Sequence, residues 1–210
     1  MSSLIIFGAG GHGKVVAETA KKSGTYSNIA FADDLYPNIK NVNGLPVIAN
    51  FKDAKLLLKE FTEAIVAVGD SNLRFDLVNE LLGLGFKLPS IIHPAAVVSE
   101  SAVIADACVL FASVVIQAST QVGLASIVNT SASIDHDCVI GNAVHIAPGV
   151  HIGGDAVIGD YSLIGIGASV LRGTTIGSNT IIGAGAAVIN DIDDSSTAVG
   201  VPARVIKKSG

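Results

Sequence analysis

Along residues 93–191 the hydrophobic and polar positions repeat with a period of six. From Val98 to Val188 every sixth residue is Val, Ile or Leu, and two positions before each of them stands a small or β-branched residue, from Ala96 to Ala186. Sixteen consecutive matches to a two-position template define a short fixed repeat, the mark of a parallel β-helix built from hexapeptides. A helical period of 3.6 residues loses phase with six over such a run. Alternation within each hexad points position i and position i−2 to the same side, so both rows are expected to face inward. Glycine often follows the aliphatic position (Gly123, Gly141, Gly153, Gly159, Gly165, Gly177, Gly183), where a backbone corner is expected.

The first part of the chain carries a different pattern. An apolar strand at residues 4–7 runs into Gly8-Ala9-Gly10-Gly11-His12-Gly13-Lys14, and a helix is expected over residues 15–22, closed by Gly24. A second strand at 29–32 ends in Asp33-Asp34. Asn43-Gly44 marks a turn, 51–60 a helix, 64–68 a third strand ending at Gly69-Asp70, and 73–84 a last helix. The reading is an α/β Rossmann-like βαβαβ domain at 1–90, then the β-helix at 91–210, with the boundary near residues 86–93. Beyond Val188 the hexads stop, and the tail is expected to cap the end of the solenoid.

Composition fits this picture. Half of the 210 residues are hydrophobic and 15% are charged, as two inward rows per hexad require. A net charge of −5 argues against a nucleic-acid partner, which asks for a basic face. No apolar run reaches the roughly 18 residues of a membrane span. The start lacks a basic leader before its first strand, so the cytoplasm is the expected compartment. Cys108 and Cys138 both fall in the inward i−2 row and read as buried free thiols.

Gly8, Gly10 and Gly13 match G-x-G-x-x-G between a strand and a helix, with Asp33 twenty residues beyond Gly13. Such a loop brings backbone close to phosphate and a carboxylate close to a ribose. The domain has about half the size of a full dinucleotide fold, so a nucleotide ligand without redox chemistry is the better expectation. His12 and Lys14 sharpen it, because a lysine at a helix start opposes the macrodipole unless an anion lies between them. In the solenoid His136 stands two positions after Ile134, at a corner, between Asp135 and Asp137, and is the natural general base. His145 and His151 occupy outward slots on successive faces. No histidine has a partner one coil away, so no metal is expected.

These residues carry a resemblance. The chain resembles the bacterial hexapeptide-repeat sugar O/N-acyltransferases, the family of the sialic-acid O-acetyltransferases and of the UDP-4-amino-sugar N-acetyltransferases of the bacillosamine pathway. It rests on Gly8 to Lys14 and Phe31 to Asp34, then on Asn129-Thr130-Ser131, Ile134 to Cys138, Val144-His145-Ile146 and Gly200 to Ala203. The resemblance implies a left-handed β-helix with three hexads per triangular coil, hence about five coils. It implies that the first domain holds a nucleotide sugar through Gly10, Gly11, His12, Gly13, Lys14, Asp33, Asp34 and Gly69. The solenoid would hold acetyl-CoA, with His145, Gly165 and Gly183 in contact. His136 would be the catalytic base with Asp137 as its carboxylate, where the bacillosamine enzymes usually carry Glu. His145 would lie near the acetyl group, and Asn129 belongs to the matched set.

The function expected is acetyl transfer from acetyl-CoA to the amino group of a nucleotide-activated sugar, a UDP-4-amino-4,6-dideoxy sugar. O-acetylation of a sialic-acid-type sugar, or a non-catalytic assembly module, are the alternatives; a scaffold would not need the glycine loop with His12, Lys14, Asp33 and Asp34. A homotrimer with shared active sites is expected, its interfaces covering outward residues such as Val97, Val103, Val109 and Val115.

Overall fold

The computed structural model describes residues 2–208, and the chain divides into two compact units after Pro94. The first unit is a sheet of order β3-β4-β2-β1-β5. Its strands are β1 (Ser2–Phe7), β2 (Tyr26–Ala32), β3 (Asn41–Val42), β4 (Leu45–Ala49) and β5 (Glu63–Val66). The buried run Leu4, Ile5, Ile6, Phe7 makes β1 the centre, parallel to β2 on one side and β5 on the other. Strand order therefore reverses at the carboxyl end of β1, where open α/β sheets bind ligands. The edge departs from an all-parallel sheet: Asn43 and Gly44, both with positive φ, close a hairpin that sets β3 antiparallel to β4.

Helix α1 (Gly11–Ser23) begins four residues earlier than the apolar pattern indicates, because Gly10 is the N-cap and the glycine loop itself forms the first turn. It ends at Gly24 in the left-handed conformation, as expected. The expected helix at 51–60 is shorter, a 3₁₀ turn at Phe51–Asp53 followed by α2 (Ala54–Leu57). Strand β5 covers 63–66 where 64–68 was expected, because Val68 and Gly69 already belong to the loop. Helix α3 (Ser71–Leu84) gains two residues at its start through Asp70, whose carboxylate accepts the Leu73 N–H at 2.8 Å.

The second unit is a left-handed parallel β-helix. Its two-residue strands form three faces, and each strand pairs in parallel with the one eighteen residues on: Ser133 with His151, Val139 with Val157, His145 with Leu163. Face 1 contains Val97–Val98, Val115–Ile116, Ser133–Ile134, His151–Ile152, Ser169–Val170 and Ala187–Val188. Face 2 starts at Val103–Ile104 and includes Val139–Ile140; face 3 includes Val109–Leu110, Ile127–Val128, His145–Ile146 and Ile181–Ile182. From Cys108 onward both inward rows are buried. Hydroxyls in the i−2 row are satisfied by the neighbouring coil: Ser126 Oγ donates to the Gly141 carbonyl at 2.9 Å and accepts the Val144 N–H at 3.1 Å. Cys108 and Cys138 are buried free thiols, and burial pushes the Cys138 thiol up.

The corner glycines have another cause than the one the pattern suggests. Left-handed φ falls three positions after the aliphatic residue, at every sixth position from Ala107 to Gly185, and most of those residues are not glycine. Glycines directly after the aliphatic position serve the stacking instead. A Cβ on Gly123 would lie 2.6 Å from the Gly141 carbonyl carbon, and one on Gly165 would lie 2.7 Å from the Ala184 nitrogen. After the last hexad, Ser196–Val199 continues face 3 beside Ile181–Ile182, and Arg204–Lys208 folds back antiparallel against it, so the tail extends and closes that face. Among the outward valines, Val97 and Val103 are 64% and 62% exposed, whereas Val109 is buried within the chain and offers nothing to a neighbour.

Candidate active site

Two constellations emerge, one in each unit. In the first, the glycine loop, the β2 end and the β5 end meet at the strand-order reversal. The Asp33 carboxylate accepts the Ala9 N–H at 2.8 Å and the Leu35 N–H at 2.9 Å, so it ties the loop to β2. Asp34 accepts the Phe51 N–H at 3.1 Å. A Cβ on Gly13 would overlap the Gly8 carbonyl, which fixes the close packing of helix on strand; Gly10 and Gly11 face open space, where a phosphate can approach backbone. Helix α1 has no side-chain cap and no acid in its first turn, and Lys14 is exposed there. His12 is partly buried in the same turn. Gly69 is exposed, and its carbonyl accepts the Arg74 guanidinium at 2.9 Å. Arg74 also donates to the Val68 carbonyl at 3.0 Å and is itself fully buried. Nothing in the sequence pattern points to Arg74, since one arginine in a polar helix reads as surface.

In the second unit His136 lies in the turn joining face 1 to face 2. The turn is fixed from below: Thr120 Oγ1 donates to the Asp135 carbonyl at 2.6 Å and accepts the Cys138 N–H at 3.2 Å. Asp135 Oδ1 accepts the His136 N–H at 2.9 Å. Asp137 takes the left-handed φ of 57°, which turns its carboxylate back onto its neighbour, and His136 Nδ1 meets Asp137 Oδ2 at 2.8 Å. A carboxylate only accepts, so the proton sits on Nδ1 and Nε2 is left as the acceptor. The Asp137 hydrogen bond is the main cause that raises the His136 pKa above the ordinary imidazole value. The charges of Asp135, Asp137 and Asp155 add to it, and desolvation offsets part.

Asp155 escaped the sequence reading although its signal was present, since it stands eighteen residues after Asp137 and so lands in the same corner one coil on. His136, Asp137 and Asp155 bring one ligand atom each within 4.8 Å of one another, and all three are exposed. Asp155 is paired with Arg172 at 2.9 Å. Beside this corner a shallow groove of about 410 Å³ runs along face 1, lined among others by Gln117, Ser133, Asp135 and His151. In it Ser133 Oγ and His151 Nδ1 are 2.7 Å apart.

His145 is elsewhere. It lies on face 3, and in a triangular coil that face is opposite the corner joining faces 1 and 2, so one chain does not bring His145 to His136. Asn129 is its partner, with Nδ2 3.3 Å from His145 Nε2. The Thr130 N–H donates to Asn129 Oδ1 at 2.9 Å and orients that amide, so Nε2 of His145 accepts and Nδ1 carries the proton. Gly165 and Gly183 stand at the corner where face 3 turns into face 1, and a Cβ on Gly183 would meet Val199 Cγ1 at 2.7 Å; packing alone accounts for both glycines.

A left-handed β-helix with a histidine–carboxylate pair at an open corner, joined to a small α/β unit with a bare glycine loop, defines a hexapeptide-repeat acyltransferase. The PglD N-terminal domain family matches residues 3–81 and the bacterial transferase hexapeptide family residues 155–190. The acetyltransferase domain of PglB from Neisseria gonorrhoeae, solved with acetyl coenzyme A, is 45% identical with a TM-score of 0.94, covering 97% of this chain and 98% of that one. Perosamine N-acetyltransferase from Caulobacter crescentus, solved as a histidine variant with CoA and GDP-perosamine, is 36% identical with a TM-score of 0.94, covering 99% and 98%. The UDP-N-acetylbacillosamine N-acetyltransferase of Bacillus subtilis is 36% identical over 117 residues, 53% of this chain and 52% of that protein, so the match spans about half of this curated relative. This chain belongs to the PglD-like family of hexapeptide-repeat sugar acyltransferases. Among the described residues no helix is long and apolar enough to cross a membrane.

Proposed function

We propose that this protein transfers the acetyl group of acetyl-CoA to the amino group of a nucleotide-activated amino sugar, with His136 as general base. The observation that carries the reading is the His136–Asp137 pair at an open corner, in a chain that matches an acetyltransferase domain seen with acetyl coenzyme A over almost its whole length. The amine attacks the thioester carbonyl while Nε2 of His136 takes its proton; Asp137 holds Nδ1–H and stabilises the imidazolium. The C–S bond then breaks, and the imidazolium returns the proton to the departing thiolate.

The acceptor is read as a UDP-4-amino-4,6-dideoxy sugar. Support comes from the curated relative named for a UDP sugar. Acetyl transfer measured across UDP- and GDP-linked 4-amino sugars and their hydroxy analogues tests both levels. Turnover only with hydroxy sugars would remove the N-acetylation reading, and a preference for GDP would remove uridine.

The nucleotide is assigned to the glycine loop of the first unit, and acetyl-CoA to the solenoid near His145, Gly165 and Gly183. Replacing Asp33 by Ala frees the Ala9 N–H and loosens the loop. The KM for the sugar should rise about tenfold or more while that for acetyl-CoA stays nearly constant, the pattern of lost ground-state binding. Equal changes in both constants would count against this division. The working assembly is read as a homotrimer in the cytoplasm. Its support is the exposure of Val97, Val103, Val139, Val157 and Ile181 on flat faces, and the placement of His136 and His145 on opposite sides of one chain.

A further inference from the structure

We infer that Gly154 is a positioning residue for His136, its missing side chain forming the seat in which the imidazole rests against the next coil. The inference deepens the acetyl-transfer reading and rests on it for its kinetic part. Gly154 lies eighteen residues after His136, one coil on, and is buried. A Cβ built there would stand 2.6 Å from Cε1, 2.7 Å from Nε2 and 3.1 Å from Cδ2 of His136, the first two closer than real Cβ atoms come to any neighbour.

Neither backbone nor coil stacking asks for this glycine. Its φ is not in the left-handed region, which at this turn belongs to Asp155. The same slot, two positions after the aliphatic residue, carries a side chain in every other hexad from Glu100 to Asn190, including Ala118 below His136 and Arg172 above Gly154. No backbone atom stands among the three nearest to the built Cβ, all of which belong to the His136 ring. By contrast a Cβ on the glycine before it, Gly153, would lie 2.8 Å from the Arg172 nitrogen, so that glycine serves the stacking. Glycine at 154 is thus accounted for by one neighbour, the imidazole.

The consequence is orientation. A ring displaced by a methyl group must swing outward, and the 2.8 Å contact of Nδ1 with Asp137 is lost with it. The charged groups facing the ring are Asp135 and Asp137 on its own turn and Asp155 on the next coil, the last already engaged by Arg172. Asp137 is the group whose hydrogen bond does most to raise the imidazole pKa. Displacement therefore lowers that pKa and moves Nε2 from the place where the amine must lose its proton.

The test is Gly154→Ala in the full-length protein. We expect kcat to fall about 100-fold, the scale of a base misplaced by about an ångström. The KM for acetyl-CoA should stay within about twofold. The His136 imidazole, titrated by NMR in the free protein, should move down towards an ordinary histidine. That titration needs no substrate, so it stands or falls independently of the reaction assigned. A fall in kcat with the imidazole titration unmoved would overturn the proposal, as would wild-type kcat and titration together. A variant that melted well below the wild type would show that the glycine serves the coil, and would overturn it as well.

Discussion

His136→Ala is expected to lower turnover by about 10²–10⁴-fold, the range for a lost general base, with acetyl-CoA binding retained. The substitution removes the one side chain at the corner that pairs an unprotonated ring nitrogen with an anchoring carboxylate, and leaves the turn intact. Thr120, the Asp135 carboxylate and the bond from the Asp137 N–H to the Ala118 carbonyl, at 3.0 Å, hold the backbone without the imidazole. The pH dependence follows from the same contact. Because the Asp137 hydrogen bond raises the His136 pKa, the base is neutral only above a pH higher than for an ordinary histidine, and the acid limb of kcat/KM sits correspondingly high. Asp137→Asn should shift that limb to lower pH and cost less in turnover than the loss of the histidine, since Asn can still orient the ring but not stabilise its charge. A His136→Ala protein with more than about a tenth of wild-type turnover, or an acid limb that ignores Asp137→Asn, would assign the proton to another group.

The solenoid was legible because its physics is one-dimensional. Each hexad must bury two residues and turn once, so the aliphatic row is written into the sequence at fixed spacing from Val98 to Val188. The period did not reveal which residue absorbs the turn. Ala, Ser, Asp, Tyr and Asn all take the left-handed φ that glycine would take more cheaply, since the stacked coils over-determine the backbone there. Helix bounds in the first unit were less legible. Gly11, His12 and Gly13 have poor helix propensity, yet they form the first turn of α1 because Gly13 must pack on the Gly8 carbonyl.

At the candidate site the sequence singled out His136 and Asp137 and overlooked Asp155 and Gly154, although the eighteen-residue spacing places both. Histidines and carboxylates adjacent in the chain are easily noticed; neighbours one coil apart need the coil length, and a glycine chosen for the space above it leaves no chemical trace. Arg74 is harder still, because only the folded unit shows its guanidinium turned inward onto the Val68 and Gly69 carbonyls. His145 illustrates the reverse. The family resemblance groups it with His136, and the fold sets the two on opposite sides of the prism.

That separation makes the second large prediction. If His145 of one copy faces the acetyl group handled by His136 of another, each single variant is impaired and the two complement each other. His145→Ala should lose about 10²–10³-fold if its ring supplies a donor to the developing oxyanion. Asn129 donates to Nε2, which puts the ring proton on Nδ1. In a ring of three copies a site is intact when one chain supplies His136 and its neighbour supplies His145. Equal random mixing of the two variants by co-expression then leaves each requirement met in half of the chains, and restores about a quarter of wild-type activity in a closed heterologous ring. Neither parent approaches that level. Activity equal to the mean of the two parents would place a complete site within each chain, and the opposite placement of His136 and His145 would then mean that only one of them serves the reaction.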